Sequence, residues 1–161
     1  MIFPTSRPVL VGTNGHIYEG LYQGAGSTRD DQFGIGVTDG TTLTADVIAH
    51  LRFQMPQTLP SGTATLYVRA RANAATGAAK WNPKWVSVAS GEDPSSATLN
   101  AEGTQTLTWS TGDADDYKLG SVALDADTVV AGEVIHIDFT FEDTSWTLAV
   151  DSIWDIWIDW A

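Results

Sequence analysis

The stretch Trp146-Thr147-Leu148-Ala149-Val150-Asp151-Ser152-Ile153-Trp154-Asp155-Ile156-Trp157-Ile158-Asp159-Trp160 decides the fold. With a period of two, one face carries Leu148, Val150, Ser152, Trp154, Ile156, Ile158 and Trp160. The other carries Ala149, Asp151, Ile153, Asp155, Trp157 and Asp159. Successive side chains of a strand point to opposite faces, so this alternation predicts a β-strand with its first face in a core. The second face mixes carboxylates with Ile153 and Trp157, which is not an ordinary solvated surface.

Earlier segments repeat the pattern. Ala45, Val47, Ala49, Leu51, Phe53 and Met55 alternate with Thr44, Asp46, Ile48, His50, Arg52 and Gln54 until Pro56 and Leu59-Pro60-Ser61-Gly62 turn the chain. Ala64, Leu66, Val68, Ala70 and Ala72 alternate with Thr65, Tyr67, Arg69 and Arg71, and Ile135, Ile137, Phe139 and Phe141 with Val134, His136, Asp138 and Thr140. Apolar-in, polar-out strands of this kind belong to antiparallel sheets with one wet face. Strands are expected also at Trp85 to Ala89, Thr104 to Ser110 and Tyr117 to Leu124, the last weakened by Gly120. Asn73 to Pro83 reads as a loop that carries Trp81 to its tip. Asp125 to Gly132 reads as a short helical turn ended by glycine. About eight strands separated by turn chemistry predict an all-β antiparallel jelly-roll or β-sandwich. An immunoglobulin-like sandwich fits less well, because the cysteine pair is missing.

The first forty residues differ. Eight glycines from Gly12 to Gly40 interrupt every apolar run. Two readings stand: short strands on the rim of the domain, or an extended arm that docks on a neighbour. The chain accordingly divides into an N-terminal arm with short strands, 1–40, and a sandwich domain, 41–161.

Composition excludes several classes. Twenty acidic against eight basic residues leave a net charge of −12, which argues against nucleic acid as a partner. With no cysteine, thiolate metal sites and disulfides are ruled out. No secretory leader and no apolar run of membrane-spanning length are present, so a soluble chain made in the cytoplasm is expected. His50 and His136 sit among polar-face residues and His16 among glycines; no nucleophile elbow accompanies them, so no catalytic residue is assigned. The acidic loops Asp113, Asp115, Asp116 and Asp125, Asp127 lack the spacing of a calcium loop and read as solvated turns. Asp151, Asp155 and Asp159 lie about 13 Å apart along one strand, too far to share a metal. No metal and no cofactor are expected.

The arm Met1 to Gly40, the alternating strands within Leu43 to Arg71 and the closing pair within Val134 to Trp160 resemble the jelly-roll decoration (cement) proteins of tailed bacteriophage heads. That resemblance implies a non-enzymatic virion protein on the outer capsid surface, made in the host cytoplasm. It would bridge major capsid proteins and associate with itself, as a trimer rather than a dimer. Ile2, Phe3, Arg7, Val9, Leu10 and Arg29 would then meet the capsid or a neighbour, and Ile153, Trp157 and Trp160 would form the subunit interface. The alternative starts from seven tryptophans and four tyrosines in a β-sandwich, which resembles carbohydrate-binding modules or a receptor-binding tail or fibre component. There Trp81, Trp85 and Trp109 would stack on sugar rings, with Tyr67 and Asp113 as polar neighbours.

Overall fold

The computed structural model describes residues 1–2, 9–11, 16–22, 32–38, 46–72, 76–113, 116–124, 129–144, 146–147 and 152–160. In chain order these form β1 (Val9–Val11), β2 (His16–Tyr22), β3 (Gln32–Thr38), β4 (Val47–Gln54), β5 (Ala64–Ala72) and β6 (Gly77–Val88). A 3-10 turn at Pro94–Ser96 precedes β7 (Asn100–Ala101), β8 (Gln105–Trp109), β9 (Tyr117–Ala123), β10 (Val134–Glu142) and β11 (Ser152–Trp160).

Two antiparallel sheets result. One is ordered β1-β4-β10-β6-β7, with β8 also on β6; the other is ordered β2-β3-β11-β5-β9. From β3 onward the chain passes back and forth between them, except that β6, β7 and β8 stay in one sheet, giving four-strand cores β4-β10-β6-β8 and β3-β11-β5-β9. That is the jelly-roll expected from the alternation. β1 pairs with β4, and the β2–β3 hairpin joins β11 through β3, so the described strands of 1–40 belong to the two sheets rather than to a separate arm.

The inward faces are those the periodicity assigns. Val47, Ala49, Leu51 and Phe53 of β4, with Ile135, Ile137, Phe139 and Phe141 of β10 beside it, share one core with Leu66, Val68, Ala70, Trp154, Ile156 and Ile158 of the other sheet. Aromatic rings pack within and between the layers: Phe139 stacks on Trp81 of its own sheet at 5.2 Å, and Phe141 meets Trp154 of the opposite sheet edge-on at 5.1 Å. Such pairs add about 0.5–1.5 kcal/mol beyond the area they bury.

Two exceptions to simple strand chemistry have structural causes. Gly120 faces inward, where an added Cβ would lie 3.1 Å from Leu107 Cδ2 and 3.3 Å from Trp81 Cζ2. Its missing side chain is therefore a packing requirement rather than a weakness of β9. Pro83 sits inside β6, which disfavours proline because it cannot donate to a ladder. Its carbonyl accepts from Glu102 N, so its ring nitrogen points to the same side. On that side β8 stops pairing at Trp81 and β7 begins at Lys84, and the proline fills the break.

Candidate functional site

The three tryptophans expected to stack on sugar are all core residues. Trp81, Trp85 and Trp109 are fully buried. The expected loop from Asn73 to Pro83 is strand from Gly77, and its alternation turns Trp81 inward. Trp85 Nε1 donates to Glu102 Oε1 at 2.7 Å, and Trp109 Nε1 to the Asp116 carbonyl at 3.3 Å. Among the described residues, Trp81 Nε1 has no partner.

The exposed aromatics lie elsewhere, on the outer face of the five-stranded sheet. Register places Trp157 beside Tyr67 and Asp155 beside Arg69 across β11 and β5, with Leu119 next to Arg69 on β9. The Tyr67 and Trp157 rings stack at 5.5 Å with planes 10° apart. Both are half-buried, so each keeps surface open to solvent. One strand step along, Arg69 Nε and Nη2 both donate to Asp155 Oδ2, at 2.9 and 2.6 Å. The same guanidinium lies 5.1 Å from the ring centroid of Tyr117. Tyr117 and Leu119 are 48% and 62% exposed on the edge strand. Rings with solvent-facing surface beside a fixed charged pair suit a ligand that is apolar on one side and hydroxylated on the other.

Of the residues expected at a subunit interface, Trp157 stands on this face with an intramolecular partner in Tyr67. Trp160 instead packs against the core, half-buried. Ile153 occupies the row of Arg71 and Gly36, and its side chain lies outside the described residues. The expected arm contacts divide similarly. Ile2 exchanges backbone hydrogen bonds with Ile158, at 2.6 and 2.9 Å, and packs on the core. The Met1 ammonium meets Asp159 Oδ1 at 2.8 Å, and that contact, with the Trp160 backbone N–H, holds the carboxyl below its ordinary range. Val9 and Leu10 belong to β1, opposite His50 and Ala49. Phe3, Arg7 and Arg29 lie outside the described residues, as do Asp115, Asp125 and Asp127. Asp113 turns back on its own loop, accepting from Ser110 N and pairing with Lys118 Nζ at 2.8 Å; the lysine contact, then the backbone bond, lower its pKa.

The outer face of the other sheet is polar. Its rows run Lys84–Asp138–His50 and Val86–His136–Arg52. His50 Nδ1 and Asp138 Oδ1 are 2.6 Å apart. At the end of these rows a cleft of about 490 Å³ opens between the sheet and the 89–94 segment. Gln54 at its rim donates to the carbonyls of Met55, Gly132 and Glu133. Gly132 adopts a φ of +75°, a left-handed conformation that lets this turn present its carbonyl to the glutamine. Burial, with the Arg52 charge added, holds His136 below the ordinary imidazole range against the opposing pull of Asp138.

From sequence, Tyr67 was expected only as a polar neighbour of a sugar and Trp157 as a subunit contact, and the polar face was assigned no ligand. Tyr67 and Trp157 on nominally wet faces were a signal for the aromatic face; only register shows that they touch. Alternating polar residues on two strands hint at the polar one, but not which of them share a row.

No protein-family model matches the chain, and neither does any curated protein sequence. Solved structures do resemble it. One is the family 11 carbohydrate-binding module of the cellulosomal cellulase Lic26A-Cel5E of Clostridium thermocellum, with TM-score 0.50, 11% identity and coverage of 98% of this chain and 89% of that one. Another is the Clostridium thermocellum endo-1,4-β-D-xylanase 10B fragment, a family 22 module with its GH10 module, complexed with xylohexaose. It gives TM-score 0.50 and 15% identity over 99% of this chain, which spans only 28% of that longer one. A family 61 module in complex with β-1,4-galactotriose gives TM-score 0.44 and 10% identity over 84% of this chain and 74% of that one. At these identities the likeness is one of fold: a β-sandwich resembling those of carbohydrate-binding modules. The expected kinship with phage head decoration proteins finds no support among these findings.

Proposed function

We propose that the protein is a non-catalytic carbohydrate-binding module that receives a glycan on the outer face of its five-stranded sheet. The observation that carries this reading is the Tyr67–Trp157 stack, half-open to solvent and set one strand step from the Arg69–Asp155 pair. A pyranose offers a C–H face to an aromatic ring and hydroxyls to a fork of donors and acceptors, and both partners are present here. Both guanidinium bonds end on Asp155 Oδ2, and Oδ1, outside both bonds, would accept a sugar hydroxyl. The fold likeness to sugar-binding sandwiches supports the same reading.

Calorimetry against xylohexaose, galactotriose and mixed-linkage β-glucan tests it. Saturable binding to one of them, weakened at least tenfold in Trp157→Ala and in Tyr67→Ala with the fold intact, is the expected result. A second reading draws on the exposure of Tyr117 and Leu119 on the edge strand. There the same face is an interface between copies of this chain in a homo-oligomeric shell protein. No glycan binding, together with a dimer or trimer mass by light scattering that reverts to monomer in Leu119→Glu, would transfer the face to that role.

A further inference from the structure

We propose that the outer edge of β9 is a self-association seam. A second copy of this chain adds its own β9 there, antiparallel, and joins the two five-stranded sheets into one. β9 is the outermost strand of its sheet, and among the described residues it pairs only with β5. One step beyond the Thr65–Ala123 pair, Leu124 N donates to the Ala64 carbonyl at 2.8 Å. Backbone groups alternate in direction along a strand, so the even-numbered residues of β9 turn theirs toward β5. The N–H and C=O groups of Leu119, Ser121 and Ala123 therefore point away from the sheet. All three residues are exposed, Leu119 by 62%.

Exposed edges are ordinarily protected by a proline, a bulge or an outward charge. β9 has none of these. It contains no proline, its register with β5 is unbroken, and Tyr117, Leu119, Ser121 and Ala123 on its outer side are uncharged. Its charged residue, Lys118, alternates to the other side and pairs with Asp113 at 2.8 Å. The strand also fits a copy of itself. Antiparallel pairing centred on Gly120 sets Leu119 beside Ser121 of the second copy, and Tyr117 beside Ala123 of the second copy. Each row then holds a large side chain against a small one. Leu119 and Ser121 exchange both N–H···O bonds across the seam, and two glycines meet at the axis with no side chains to crowd it. Centring the pair on Leu119 would instead set leucine against leucine. An unrelated strand would lack this large-to-small match, so the seam fits a second copy, in a closed two-fold dimer.

The copies meet in the plane of the sheet, so its outer face stays open. The row of Trp157, Tyr67 and Ser121 continues into Leu119, Arg69 and Asp155 of the second copy. Tyr67 and that Arg69 stand three strand spacings apart, about 14 Å. Where this face takes a glycan, the dimer offers two aromatic stacks on one platform; that consequence rests on the proposed function, whereas the seam does not. Strands of seven residues make a small seam, which belongs with transient interfaces that dissociate on dilution. Charge opposes it, since each chain carries −12 and Asp116 and Asp125 flank the strand in sequence. Added salt screens that repulsion and tightens the dimer.

The test is sedimentation velocity of the full chain without glycan, from about 10 μM to about 1 mM, together with amide hydrogen exchange. Expected is a monomer–dimer equilibrium that shifts toward dimer as NaCl rises from about 0.05 to about 0.5 M. The amides of Leu119, Ser121 and Ala123 should gain protection as concentration rises, while those of Lys118, Gly120 and Val122 stay protected throughout. Ser121→Pro removes an outward N–H and leaves the bonds to β5 in place. Leu119→Lys adds an edge charge and guards against a folding defect in the proline variant. Each should weaken the dimer at least tenfold with an unchanged circular dichroism spectrum, and Trp157→Ala should leave it intact. Three results would each overturn the proposal: a monomer across the whole range, a dimer without new protection at Leu119, Ser121 and Ala123, or a dimer abolished by Trp157→Ala but not by the edge variants.

Discussion

Trp157 lies directly across from Tyr67, the two rings stacked at 5.5 Å and 10° on a face that a strand pattern alone would assign to water. Each ring shields one side of the other from water. The pair should therefore couple in stability as well as in binding. A double-mutant cycle of Tyr67→Ala and Trp157→Ala, followed by urea unfolding, should return a coupling of about 0.5–1.5 kcal/mol. Additive losses would mean that the rings touch without stabilising one another.

Trp81 and Trp85 occupy the same strand and face but differ in their indole N–H. Trp85→Phe leaves Glu102 without its 2.7 Å donor and should cost about 1.5–3 kcal/mol beyond the volume change. Trp81→Phe removes a buried donor with no partner among the described residues, so part of its volume loss is offset. Urea midpoints should rank Trp81→Phe clearly above Trp85→Phe; equal midpoints would show that the Glu102 bond contributes nothing net.

At Gly120, β9 packs tightly against Leu107 and Trp81 of the opposite sheet. Gly120→Val drives methyl groups into Leu107 and Trp81 and should destabilise by about 1–3 kcal/mol by overpacking, despite valine's preference for strands. A thermal midpoint equal to or above that of the parent would contradict this packing.

His136 makes stability depend on pH. Its folded pKa is depressed from 6.5, first by burial and then by Arg52, so the unfolded chain binds the proton more readily. The contribution is full above about pH 6.5 and is lost as pH falls through the lower folded value. Urea midpoints between pH 7.5 and 5 should fall less steeply in His136→Gln than in the parent. An unchanged slope would place the pH dependence on other groups.

Much of this was legible in the residues themselves. The period of two in 45–55, 64–72, 134–141 and 148–160 determined which side chains of four strands face the core, because a buried face tolerates only one register of alternation. Where the pattern was weak, reading failed. Small residues and Pro83 made the first part of β6, from Gly77 to Pro83, look like a loop, because nothing local says that β7 and β8 leave a break for the proline nitrogen. Glycines left residues 1–40 open between short rim strands and an arm, because the partners of β1 and β3 in β4 and β11 lie farther along the chain.

The sequence alone thus determined the sandwich, its core faces and the unusual Trp157, all consequences of local alternation and turn chemistry. Tertiary structure decided which strands are neighbours, and with that every candidate site. Tyr67 meets Trp157, Arg69 meets Asp155 and Arg52 meets His136 across 90, 86 and 84 positions of chain. Antiparallel pairing sets such contacts through register between distant strands, a quantity that no single segment carries.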